Sequence, residues 1–150
     1  MILVHGTCIA FGATGLLLRG PSGAGKSDLA LRLINRPNIR PDMAVRLVAD
    51  DQVEVSRRDD ELWASAPSQI AGLLEVRGVG LVRFETHGDV RLRLVLDLCP
   101  TGAVPRLPEA DRCTIDGVAL PLYPFAPFEA SAPDKVAILV RSLPQDILAS

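Results

Sequence analysis

The stretch GPSGAGKSDLALRLI, residues 20 to 34, constrains the fold more than any other part of this chain. It sets three glycines and one lysine between an apolar run, GLLLR at 15 to 19, and a segment in which Leu29, Ala30, Leu33 and Ile34 recur at helical spacing. The pattern G-x-x-x-x-G-K-[ST] is met by Gly20, Gly25, Lys26 and Ser27, and it falls between an expected strand and an expected helix, the context that gives the match its meaning. Without a Cβ, Gly23 and Gly25 can turn backbone N–H groups inward and form an anion nest at the positive end of the helix dipole. The loop Gly20, Pro21, Ser22, Gly23, Ala24, Gly25, Lys26, Ser27 therefore reads as a nucleotide-binding loop. Lys26 would bridge the outer phosphates, and the Ser27 hydroxyl would ligate Mg²⁺.

A fold built on such a loop needs a sheet, and the rest of the chain supplies strands. Residues 2 to 11 and 15 to 19 read as two apolar β-segments joined at Gly12-Ala13-Thr14-Gly15. The helix is expected from Lys26 to about Asn35, ended by Pro37 and Pro41. VRLVADD follows as a short strand with two carboxylates at its end, then a hairpin, with QVEVS and LWASA flanking a polar turn at 57 to 61. Next comes a glycine-punctuated strand, LLEVRGVGLV, and a hairpin at His87-Gly88-Asp89. In the second arm of that hairpin Val90, Leu92, Leu94 and Leu96 alternate with Arg91, Arg93, Val95 and Asp97, as in a strand with one face in the core. The proline-rich stretch from 100 to 133 resists assignment. DKVAILVRSL, with a proline just ahead, is expected to be a last helix at about 134 to 143.

With 150 residues, 48% apolar and 23% charged, the chain is expected to form one globular domain over residues 1 to 150. A net charge of −2 and 4% aromatics offer neither a basic field nor a stacking platform, so nucleic acid is not an expected partner. Cys8, Cys99 and Cys113 make an odd count without a CxxC pair. That fits a reducing compartment and argues against zinc and disulfides, so all three are read as small buried hydrophobes. The apolar N-terminus lacks a basic n-region and is broken by His5 and three glycines. No apolar run approaches the roughly 20 residues of a spanning helix, so the expectation is a cytoplasmic protein with no membrane partner.

Nucleotide binding alone names no reaction, which makes the carboxylates important. A hydrophobic strand ending in an acid is where phosphate-loop proteins place a residue near the metal. Here there are two, Asp50 and Asp51. Neighbours on a strand point to opposite faces, so at most one can aim at the terminal phosphate unless the strand stops there. One could take a proton from an attacking hydroxyl while the other orients metal or water. A solvated turn is the plainer alternative. Asp97 is a rival for the same role, but its alternation puts it on the face of Arg91 and Arg93, where an ion pair is the simpler explanation.

Together these residues resemble the HPr kinase/phosphorylase family, bacterial enzymes that phosphorylate a serine of the phosphocarrier protein HPr. The likeness begins at His5-Gly6, runs through GPSGAGKS and LVADD, takes in LLEVRGVGLV and ends with Asp111-Arg112 and a shorter match near DKVAILV. It spans the family's catalytic domain only. The resemblance implies an α/β fold with a P-loop kinase-like core of the HPr kinase/phosphoenolpyruvate carboxykinase type, a mixed sheet with β-hairpins and few helices. It implies ATP and Mg²⁺ as cofactors, bound at Lys26 and the loop from Gly20 to Ser27, with Ser27 and Glu75 as metal ligands. Asp51 would be the proton acceptor in phosphorylation, with Asp50 beside it, and His5 and Arg112 would be further active-site residues. It also implies an HPr-like carrier as substrate and a homo-oligomer, a hexamer in the family, though nothing in the sequence marks the interface.

Each carried residue has a plainer counterpart. His5 reads equally as a strand histidine, Arg112 as a surface arginine, and Glu75 with Arg77 as a solvated strand pair. Gly78 and Gly80, in a strand context, suggest a bulge or a close backbone approach. Two departures from the family pattern matter. Where the family carries a basic loop before its last helix, this chain has FEASAPDK, with Glu129 and Asp134 in place of arginines and Lys135 as the nearby cation. Because that loop is associated with attack of inorganic phosphate on phosphoserine, the kinase direction is expected to outweigh the phosphorylase direction. The link NRPNIRPDMAVR is also longer and is expected to be a surface excursion. Two other readings stay open: a P-loop kinase of a small metabolite, and a nucleotide-binding regulatory module without catalysis.

Overall fold

The chain is a mixed α/β structure assembled around one strand, β9 (Val90–Leu98), whose alternating apolar residues reach cores on both sides of the sheet. The structure, a computed structural model, describes residues 1–37, 41–109 and 111–144. In chain order the other elements are β1 (Ile2–His5), β2 (Thr7–Phe11), β3 (Thr14–Arg19), α1 (Lys26–Ile34), β4 (Val45–Ala49), β5 (Gln52–Arg58) and β6 (Glu61–Ser65). They continue with β7 (Leu73–Val76), β8 (Gly80–Arg83), β10 (Asp111–Ile115), β11 (Val118–Phe125) and α2 (Ala132–Arg141), with short 3₁₀ turns at Pro41–Met43, Ser68–Ile70 and Thr101–Ala103. Among the described residues nine strands form one sheet in the order β1-β5-β6-β9-β3-β2-β4, with β11 attached to β9 and β10 to β11, and β7 pairs with β8 alone.

β9 runs parallel to β3 on one edge, while its other edge is shared by antiparallel β6 and parallel β11. β3, β9 and β11 therefore end on the same side, where Arg19 leads into the glycine loop. On one face Ile9, Leu16, Leu18, Leu94, Leu96 and Leu98 pack against Leu29 and Leu33 of α1 and Val136 of α2. On the other, Leu17, Val48, Val95 and Leu92 meet Val53, Val55, Leu62, Ile115 and Leu120, so the outer strands curl over the central ones and enclose a second core.

Several expectations hold. The first hairpin closes through the two-residue turn Gly12-Ala13, with Gly12 at φ 60 as a type II′ turn requires. α1 ends at Ile34, one residue early, and buries the anticipated Leu29, Ala30 and Leu33. α2 starts at Ala132 rather than at about 134 and stops at Arg141, with proline in its first turn. The long link after α1 contains residues 38 to 40, which lie outside the described residues.

Others need correction. The segment 2 to 11 is not one strand: it breaks at Gly6, and β1 pairs with β5 while β2 pairs with β3 and β4. His87-Gly88-Asp89 is not a hairpin. β7 and β8 form their own hairpin, whose turn has Gly78 at φ 82 and a Val79 N–H bond to the Val76 carbonyl at 2.9 Å, a type II pattern. Gly78 and Gly80 thus serve a turn, and a Cβ on either would meet no atom within 4 Å. Asp97 does not share a face with Arg91. The β3–β9 register slips between Gly15↔Leu92 and Leu16↔Leu94, so Arg93 is an extra residue that reverses the alternation. Asp97 consequently pairs with Arg19 at 2.7 Å, and Arg91 with Glu61 at 3.2 Å. The hydrogen bond from Arg19 to Asp97 pushes the guanidinium pKa upward despite partial desolvation. In the proline-rich stretch, β10 and β11 form a hairpin across Asp116-Gly117, both at positive φ, as a type I′ turn requires.

All three cysteines are free, but only Cys8 is fully buried, and Cys113 accepts a hydrogen bond from Arg19 at 3.3 Å. Burial pushes the Cys8 thiol from 9.0 up to about 12. The thiol therefore stays protonated in the folded chain at pH 8, and a maleimide should label Cys8 only after unfolding. Because the folded pKa is raised, its contribution to stability is complete below pH 9.0 and falls as the pH climbs from 9.0 toward about 12. Urea unfolding of wild type and Cys8→Ala across that window should show the wild type losing stability faster; parallel curves would contradict the assignment.

Candidate functional site

The glycine loop connects the end of β3 to α1, and its backbone is left-handed where the sequence places glycine. Gly25, at φ 103, is the residue preceding the first helical turn, and its carbonyl accepts from Leu29 N–H at 2.9 Å. A Cβ there would lie 2.8 Å from the ring of Phe128 and 3.0 Å from Pro127, so the segment after β11 packs directly on the loop. Arg32 of α1 holds that segment, donating to the carbonyl of Pro127 and forming an ion pair with Asp28 at 3.0 Å. The Lys26 ammonium bonds the carbonyls of Gly20 at 2.5 Å and Pro21 at 3.1 Å, which keeps its charge against the loop.

The two acids are delivered by a corner where two chain segments change partners together. β2 pairs with β4 and β1 with β5, so one segment switches at Gly6 and the other at Asp50-Asp51. The two switch points are bonded by the Gly6 N–H to the Asp51 carbonyl, 3.2 Å. β4 stops at Ala49 and Asp51 takes φ 71, so the strict strand alternation ends and both carboxylates can line one cleft. Asp50 Oδ1 accepts hydrogen bonds from Thr7 at 2.7 Å and from Ser27 at 3.2 Å. Asp51 Oδ1 stands 3.6 Å from His5 Nδ1, with side-chain exposures of 72% and 57%. A pair that open contributes little to stability.

The cleft has a volume of about 600 Å³. The loop residues Ser22, Gly23, Gly25, Lys26 and Ser27 line it, with His5, Asp50, Asp51 and Glu75; Leu31, Ile70, Leu73, Val76, Leu81 and Phe128 supply its apolar wall. Of the residues expected from sequence, Gly20, Pro21 and Ala24 of the loop are not among those lining the cleft, and neither is Arg112. It lies exposed on β10, with its backbone N–H on Asp111 and its register partner at Pro121. Residues not anticipated include Thr7, buried beneath Asp50, and Phe128, which the apolar run YPFAPF did not single out. Arg77, weighed only as half of a solvated pair, also faces the cleft.

Among the described residues there is no group of three or more His, Cys, Asp or Glu side chains arranged to hold a metal on their own. The donors present are hard oxygens: Ser27 hydroxyl, Asp50 and Glu75. That suits Mg²⁺, which keeps several waters and is held by one or two protein oxygens together with the phosphates of its ligand.

The fold defines the class first: a strand, glycine loop and helix carrying a phosphate-loop motif, faced by an acid pair. The profile of the HPr Serine kinase C-terminal domain family matches residues 1–95. The chain belongs to that family. Similar proteins include the HPr kinase/phosphorylase of Geobacillus thermodenitrificans, 43% identical over 103 residues, and that of Thermoanaerobacter sp. (strain X514), 41% identical over 101 residues. The matches take in 63% and 65% of this chain, and 31% of each relative's length. The chain therefore spans about a third of the length of these curated relatives. The solved Hpr(Ser) kinase/phosphatase from Coxiella burnetii superposes with a TM-score of 0.79, covering 94% of this chain and 95% of that one at 24% identity, and so shares the fold. The expected α/β architecture, with a mixed sheet, hairpins and few helices, is the observed one. No helix of the described residues is long and apolar enough to cross a membrane.

A Cβ at Gly6 would fall 2.7 Å from the Leu18 carbonyl and 2.9 Å from Leu17 Cδ1, whereas one at Gly23 meets nothing within 4 Å. Gly6→Ala should therefore cost about 1–3 kcal/mol through overpacking. Gly23→Ala should cost about 1–2 kcal/mol, from its left-handed backbone alone. Urea denaturation reads both costs; in native-state hydrogen exchange Gly6→Ala should also weaken the link to the Asp51 carbonyl, seen as faster exchange of the backbone amide at position 6, and unchanged exchange would contradict the corner.

Proposed function

We propose that the chain is one catalytic unit that transfers the terminal phosphoryl group of ATP to a serine hydroxyl of an HPr-type phosphocarrier protein. What supports this reading above all is one cleft in which Lys26, Ser27, Asp50 and Asp51 lie around the glycine loop. Phosphoryl transfer asks a protein chiefly for positioning and charge compensation, and these are the groups it needs.

In this reading the backbone N–H groups of Gly20–Ser27 and the Lys26 ammonium receive the β- and γ-phosphates. Ser27 and Glu75 would hold Mg²⁺, which supplies charge neutralisation across the phosphates when bound. Asp51 takes the proton of the incoming serine hydroxyl as its oxygen bonds to the γ-phosphorus and the bond to the ADP oxygen breaks. His5, 3.6 Å from Asp51, orients that carboxylate. Asp50, bonded to Ser27, orients the metal-facing hydroxyl. Arg112, away from the cleft lining and beyond the residues matched by the family profile, is assigned no contact with the reacting groups.

The segment from Glu129 into the first turn of α2 supports the kinase direction. Lys135 is paired with Glu129 at 2.8 Å and Asp134 with Arg36 at 3.0 Å, so this segment offers a free inorganic phosphate little uncompensated positive charge.

Incubation with Mg-ATP and an HPr-type carrier should label the carrier, and labelling should vanish when its target serine is replaced by alanine. Lys26→Ala should lower transfer by at least about 10²-fold. Asp51→Asn should lower kcat by about 10²- to 10⁴-fold. Transfer that survives either change, or that persists without the serine, would overturn the reading. Transfer to a small alcohol with none to the carrier would favour a metabolite kinase, and tight ATP binding without any turnover would favour a sensing module.

A further inference from the structure

Thr7 is the one fully buried polar side chain among the described residues, at 0% exposure. Its strand is otherwise apolar: Cys8, Ile9, Ala10 and Phe11 are all buried hydrophobes. A valine would fill the same volume, so the hydroxyl must be explained by its partner. That partner is Asp50 Oδ1, at 2.7 Å, the length of a hydroxyl donating to a carboxylate.

Ser27 donates to the same oxygen at 3.2 Å. A carboxylate oxygen offers two acceptor positions, so the two hydroxyls fill Oδ1, and among the described residues no protein donor is seen on Oδ2. The Thr7 bond comes from β2, a strand paired along both edges, and sets the plane of the carboxylate. The plane in turn sets where the Ser27 proton points. With its proton committed to Asp50, Ser27 turns its free lone pairs elsewhere.

We infer that Thr7 is a positioning residue: it locks Asp50 in the orientation that accepts the Ser27 proton, and so presents the Ser27 oxygen to a divalent cation carried in with the nucleotide. This rests on the reading of Gly20–Ser27 as a magnesium-nucleotide site. Thr7 is fully buried and is not among the residues lining the cleft, so it would touch neither nucleotide nor metal. It acts through Asp50 and Ser27, as outer hydrogen-bond partners of metal ligands do.

The test uses the full chain and ADP as probe, with affinity measured by titration calorimetry in Mg²⁺ and again in EDTA. In Thr7→Val and Thr7→Ala the gain in ADP affinity conferred by Mg²⁺ should fall about tenfold or more, with the affinity in EDTA unchanged. Thr7→Ser, which keeps the hydroxyl and loses the same methyl as Thr7→Ala, should keep the wild-type gain. An unchanged gain in Thr7→Val, or an equal loss with and without Mg²⁺, overturns the inference. So does failure of the hydroxyl-free variants to fold where Thr7→Ser folds, since Thr7 is then structural. A wild-type chain that takes no ADP in Mg²⁺ overturns the nucleotide-site reading itself, a result distinct from an unaffected Thr7→Val.

Discussion

The Asp50 carboxylate joins three segments that are distant in sequence: Thr7 at the start of β2, the end of β4, and Ser27 in the first turn of α1. A hydrogen bond to a charged acceptor is worth roughly 1.5–3 kcal/mol, so this junction matters on the scale of a domain's total stability. It also fixes where the loop sits relative to the acid pair. Were Asp50 to swing away, the glycine loop would still have its helix dipole but no carboxylate at its side.

A division of labour follows from burial. The cores on the two faces of the sheet are built mainly from leucine, valine and isoleucine, with alanine and phenylalanine among them, and hold the strands in register. The site is assembled where strands stop or change partners: β3 ends in the loop, β4 ends in two acids, and β1 parts from β2 at Gly6. At such places the backbone departs from regular alternation, and Asp51 at φ 71 is the clearest instance. Left-handed backbone in a non-glycine residue carries a cost, which the bond from Gly6 and the turn from Gln52 N–H to the Asp50 carbonyl at 2.9 Å help to offset.

Local features were legible in the sequence, and partner choice was not. The glycine loop, α1 and its buried face, the first hairpin and the acid pair could be read because each depends on residues within a turn or two of one another. The sequence could not say that residues 2 to 5 pair with residues 52 to 55, because a strand's alternation does not name its neighbour. It hid the extra residue in β9, since Val90, Leu92, Leu94 and Leu96 alternate without interruption while the register slips between them. β10 and β11 were obscured by Pro121 and Pro124, although Asp116-Gly117 is a type I′ signal that the residues themselves display. Thr7 left no mark, because one hydroxyl in an apolar strand takes its meaning from a carboxylate 43 positions away.

The central claim is that the glycine loop and the corner at Asp50-Asp51 face the same phosphate. A crystal structure with Mg²⁺ and a non-hydrolysable ATP analogue tests it most directly. The terminal phosphate should lie in the loop Gly20–Ser27, with Asp51 within about 2.6–3.2 Å, directly or through one water, of an oxygen in line with that phosphorus. Phosphates bound away from residues 20 to 27, or both carboxylates turned from the phosphate, would contradict it.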